Sequence, residues 1–112
     1  MLFCFTAEYT AQALNAMREN PNTNRREAVT QMLQAAGGRV IEMYGISGNG
    51  PGAMVIFDVP DPEMAPAISG VAVSSGSVQN VQLRRLFTMD EIGSIRQKAR
   101  QIRGAYKPPG QQ

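Results

Sequence analysis

Histidine and tryptophan are absent from this 112-residue chain, and cysteine occurs once, at Cys4. Without imidazole, the usual ligand sets for zinc and haem are missing, and so are Cys–His and Ser–His nucleophile pairs. No metal site and no cofactor is expected. A single cysteine cannot build a disulfide framework, and a thiol set between Phe3 and Phe5 reads as a packing group with no base to activate it. Long apolar runs are also missing, since nothing approaches the roughly 18 residues of a membrane helix. The opening MLFCFTAEYT has no basic segment ahead of its apolar part and does not read as a secretory leader. The expected setting is a reducing one, the cytoplasm, away from membranes. Charge is scarce, with 18% charged residues and a net +2, so there is no global field to hold nucleic acid, which is not an expected partner.

What remains is an ordinary globular mixture, 43% apolar, enough for one core. A single domain is expected over residues 1–106, with KPPGQQ at 107–112 as an extended, mobile tail. LFCFTAEY, residues 2–9, alternates at strand period, with Phe3 and Phe5 on one face and Cys4, Thr6 and Glu8 on the other. Thr10 caps a helical region that Pro21 bends or breaks. Beyond Pro21, Ala28, Val29, Met32, Leu33 and Ala36 form one stripe, Asn24 and Glu27 suit a capping box, and Gly37 suits a left-handed C-cap. RVIEMYGI (39–46) and AMVIFDV (53–59) read as strands of a hairpin with a long connection. Asp61 and Pro62 are expected at the N-cap and first position of a helix that Pro66 keeps short or bent. SVQNVQLRRLF (77–87) reads as a fourth strand, and Thr88 with Glu91 as a capping box for the last helix.

The connection SGNGPG, residues 47–52, resembles a phosphate cradle in its glycine content. A Walker loop continues with Lys-Ser/Thr, and a dinucleotide loop opens a helix, whereas this one runs into a strand and loses a donor at Pro51. It is read as a turn that, if flexible, can gate a pocket.

The order β-α-β-β-α-β-α predicts an α+β, ferredoxin-like βαββαβ domain with an extra C-terminal helix, its antiparallel sheet covered by helices on one face. The helix-side set is predicted as Phe3, Phe5, Ile41, Met43, Val55, Phe57, Val81 and Leu83. The opposite set is Cys4, Thr6, Glu8, Val40, Glu42, Tyr44, Met54, Ile56, Asp58, Asn80, Gln82 and Arg84, a mixed face suited to the seam of a sheet-to-sheet dimer. A homo-oligomer, a dimer or a multiple of it, is expected.

The stretches FCFTAEYT, AAGGRVIEMYG, MVIFDVPDPE and SVQNVQLRRLFTMDEI, in this order over residues 2 to 96, resemble the GYD family of dimeric α/β-barrel proteins. The triplet that names the family would fall within Asn49-Gly50-Pro51-Gly52, where its tyrosine and aspartate are not retained. The resemblance implies the fold, and it implies no settled activity, since the wider group holds cofactor-independent oxygenases, isomerases and proteins without an assigned reaction.

Three functional readings follow. In the first, a small apolar or aromatic molecule binds beside the sheet, with Tyr44, Met54, Arg84 and Asn80 as contacts; Met32, Met43 and Met64 are lining candidates or core filler. In the second, the chain is an oxygenase or isomerase in which Glu8, Glu42 or Asp58 serves as base and Tyr44 or Arg84 stabilises developing charge, the alternative for these groups being interface ion pairs. In the third, the last helix is an interaction module: Ile92, Ile95, Ala99, Ile102 and Tyr106 form a stripe beside the basic Arg96, Arg100, Arg103 and Lys107.

Overall fold

The computed structural model describes residues 1–111; Gln112, the end of the tail read as mobile, lies outside the described residues. The elements are β1 (Leu2–Tyr9), α1 (Ala11–Glu19), α2 (Arg25–Ala35), β2 (Arg39–Ser47), β3 (Pro51–Asp58), α3 (Met64–Ser74), β4 (Val78–Leu86) and α4 (Met89–Ile102), the last followed by a 3-10 turn over Arg103–Ala105. The strands form one antiparallel sheet in the order β2-β3-β1-β4, the ferredoxin-like arrangement.

Local chemistry sets most boundaries. The Thr10 hydroxyl accepts from the Ala13 N–H and the Asn24 side chain from the Glu27 N–H, so the helical region is two separately capped helices on either side of Pro21. Gly37, at φ 76°, closes α2, with the Gly38 N–H bonded to the Leu33 carbonyl. Thr88 and Glu91 exchange both bonds of a capping box.

Three expectations need correction. The hairpin connection is short: β2 runs on to Ser47 and β3 starts at Pro51, because the SGNGPG backbone still pairs across the ladder there. The helix after β3 starts at Met64, not Pro62. Asp61 accepts from the Glu63 N–H in a turn ahead of the helix, and Pro66 falls in the first helical turn, where no N–H is needed, so α3 runs eleven residues. The third concerns β2, whose register against β3 shifts between Val40 and Glu42. The extra residue places Val40 opposite Phe57 and into the core, leaving Ile41 unpaired, the reverse of strict alternation.

The core lies between the sheet and the helices α2 and α3. Phe57, Val59 and Leu33 are fully buried at its centre, and Phe3 stacks on Phe57 with ring centroids 5.6 Å apart. Among the described residues α4 is exposed along its length beyond Gly93, and its root is tied down by Arg85, which donates to Glu91 at 3.0 Å and lies over the Phe87 ring. Among the described residues, no helix is long and apolar enough to cross a membrane.

Candidate functional site

The sheet has one open face, and its register lays the sequence-predicted side chains out in rows. Glu42, Ile56, Cys4 and Arg84 make one row across the four strands, and Tyr44, Met54, Thr6 and Gln82 make the next. Tyr44, on the edge strand, is 53% exposed. Glu8 and Asp58 lie at opposite ends: Asp58 pairs with Leu2, six residues along β1 from Glu8, which is about 20 Å at strand rise. Glu42 and Arg84 sit on the two edge strands, about 14 Å apart at ordinary strand spacing. Glu8 therefore does not meet Asp58 within one chain, whereas Glu42, opposite Ile56, is a diagonal neighbour of Asp58 at about 7–8 Å.

Glu8, Arg84 and Asp58 on this face have local partners. Asn80, held at φ 53° where β4 slips register against β1, donates from its amide to Glu8 at 3.0 Å. Arg84 donates to Gln82 at 2.8 Å. Asp58 accepts from the Met1 ammonium at 2.8 Å, with Arg39 at 3.7 Å. The hydrogen bond from that ammonium is the main reason the Asp58 carboxyl is held below its ordinary value of 3.8, against the opposing effect of desolvation, with the charges of the ammonium and Arg39 adding to the lowering. A carboxyl whose folded pKa is depressed adds stability above its unfolded value and loses it as pH falls through the folded one. The stability advantage of the native protein over Asp58→Asn is expected to persist at neutral pH and to shrink below about pH 4 in pH-dependent thermal melts.

The enclosed space lies on the other side of the sheet. Between the sheet, α2 and α3 is a cavity of about 200 Å³, floored by Phe5, Val55 and Phe57 and walled by Met32 and Ile68. Its polar lining is confined to Tyr9, Arg25, Ser75 and Ser77, and the exposed Ala28, Val71 and Ser75 mark its mouth. No carboxylate and no thiol faces it among the described residues. Of the methionines singled out from the sequence, Met32 and Met43 line this space, Met64 packs on the core and Met54 is on the open face. Tyr9 and Arg25 were not legible as site residues: each sits at the end of an element, and only the packing of α2 and α3 over the sheet brings them to one opening. The available signal was small side chains, Ala28 and Ala72, on otherwise bulky apolar stripes.

Arg96 and Arg100 lie on α4, Arg103 in the turn after it and Lys107 beyond, all exposed and remote from the cavity.

No curated protein matches the chain. Among solved structures, a similar one is 5-chloro-2-hydroxyhydroquinone dehydrochlorinase (TftG) from Burkholderia phenoliruptrix AC1100, in complex with 2,5-dihydroxybenzoquinone. The likeness has a TM-score of 0.55 at 14% identity and covers 81% of this chain and 98% of that one, which is a likeness of fold. The GYD domain matches residues 3–95, taking in the sheet but for Leu2, the helices that cover it and the first half of α4. This chain belongs to the GYD domain family.

Proposed function

We propose that the protein binds a small, single-ring apolar or aromatic molecule in the cavity between the sheet and helices α2 and α3, and works as a homo-oligomer paired through its open sheet face. The observation that carries the reading is the cavity itself. An apolar cavity of about 150 Å³ holds benzene, so about 200 Å³ suits one substituted ring. Arg25 and Tyr9 at the polar edge suit a carboxylate or phenolic oxygen directed to the opening. The quinone named in the TftG complex is of the same size class. The lining supports binding over acid–base catalysis, because no carboxylate is placed to move a proton there.

In this reading Tyr44, Met54, Asn80 and Arg84 belong to the seam between two sheets, whose mixed row pattern suits a polar, wet interface. Native mass spectrometry on the purified protein and calorimetric titration with benzoate and with benzene-1,4-diol test both parts. An even-numbered assembly that takes up one ring per chain, benzoate more tightly than the diol, is the expected result. A monomer sinks the seam, and the absence of uptake of either compound at millimolar concentration sinks the cavity reading.

A further inference from the structure

Helix α4 is amphipathic, and beyond the half-buried Ile92 its apolar side is left exposed among the described residues. Ile92, Ile95, Ala99 and Ile102 recur at helical spacing, and Ile102 is 70% exposed. The helix is nevertheless fixed at its root, by the Thr88 capping box and by the Arg85–Glu91 pair at 3.0 Å, so it projects in a set direction. A second helix has the complementary defect. Helix α3 carries no charged residue and is apolar nearly all round, a pattern that belongs to buried helices, yet it covers the core with one side only. Its outward arc is bounded by Val71, 59% exposed, and Val73, 49% exposed.

We propose that α4 of one copy docks antiparallel on the outer arc of α3 of a second copy, and that the exchange is reciprocal. Charge fixes the direction. After Glu91 the chain has no acidic residue, and Arg96, Arg100 and Arg103 edge the apolar stripe. The turn that leads into α3 carries the exposed Asp61 and Glu63, neither in an ion pair among the described residues. Antiparallel docking sets the basic end of α4 beside these carboxylates, and the fourteen residues of α4 span the eleven of α3 with somewhat less than a turn to spare. Because α3 lies on the covered side of its sheet, this contact is separate from the seam on the open face and stands or falls independently of it. Reciprocal use of the same two helices closes this contact on itself.

Disulfide trapping between differently tagged full-length chains tests the contact. With Cys4→Ser as background, a chain carrying Val71→Cys is mixed with chains carrying Ile92→Cys, Ile95→Cys or Ile102→Cys and oxidised at low concentration. The mixed disulfide is expected with Ile92→Cys or Ile95→Cys in preference to Ile102→Cys, since Val71 lies in the second half of α3. Preference for Ile102→Cys overturns the antiparallel direction. In a parallel mixture whose chains retain Cys4, a disulfide between Ile95→Cys and Cys4 places α4 on the open sheet face and overturns the proposal, as does the absence of any mixed product in the Cys4→Ser background. Arg100→Glu with Arg103→Glu is expected to cut the yield several-fold, and Asp61→Lys with Glu63→Lys to restore it; no loss, or loss without rescue, removes the charge argument.

Discussion

Gly52→Ala is expected to cost about 3 kcal/mol or more, lowering the thermal midpoint by roughly 10–20 °C, while Gly48→Ala and Gly50→Ala stay close to the native value. The difference is spatial and has nothing to do with backbone handedness, since none of these three glycines has a left-handed φ. Gly52 is buried in β3, opposite Glu8 of β1 and Ile46 of β2. A Cβ there would overlap the Ala7 carbonyl oxygen and press on the Ala7 carbonyl carbon and Glu8 Cα at 3.0 and 3.1 Å. Those are backbone atoms of the neighbouring central strand, so relief requires the β1–β3 ladder to separate. At Gly50 the nearest atom is the mobile Glu8 Oε1 at 3.3 Å, and at Gly48 there is none within 4 Å. The same comparison decides what the glycine cluster is for. A phosphate cradle would make Gly48 and Gly50 matter to ligand binding and leave stability alone. A tight strand crossing makes Gly52 matter to stability alone. Thermal melts of the three variants, with inorganic phosphate added as a control, separate the two. A Gly52→Ala protein as stable as the native one would refute the close-packing account.

Ala72→Phe is expected to weaken benzoate uptake by about a hundredfold or more with the thermal midpoint unchanged or raised, because filling a void commonly stabilises by about 0.5–2 kcal/mol. Ala72 lines the cavity from α3 and touches the core, so a benzyl group there has the empty volume of about 200 Å³ to enter. In a packed site the same substitution would force strain of about 1–3 kcal/mol. Calorimetry and melting on one sample therefore distinguish the cases. Lost uptake with retained stability supports the cavity as the binding site. Retained uptake moves the ligand elsewhere, and a sharp fall in stability denies that the space is open.

The fold was largely legible because its signals are local. Alternation in LFCFTAEY gave β1 at its observed bounds, Thr88 with Glu91 gave the start of α4, and Gly37 gave the end of α2. These depend on neighbours within four residues, which a sequence displays directly. The misreadings arose where a long-range pairing outweighs local pattern. Strict alternation put Ile41 in the core, but a shift in the β2–β3 ladder substitutes Val40, and nothing within RVIEMYG marks which residue bulges. Pro51 and Gly52 read as loop residues by composition, yet pairing with β1 and β2 carries them into the strand.

By itself, the sequence determined the ferredoxin-like order of elements, the apolar helix-side face and the amphipathic last helix, since each follows from periodicity along a single segment. Only the tertiary structure decided where an enclosed space lies. A cavity is what helices and sheet leave unfilled between them, so it belongs to no segment and has no period. That is why Tyr44, Met54, Asn80 and Arg84, grouped by strand parity, fall on the open face, whereas Tyr9, Arg25 and Ala72, from three separate elements, meet at the cavity.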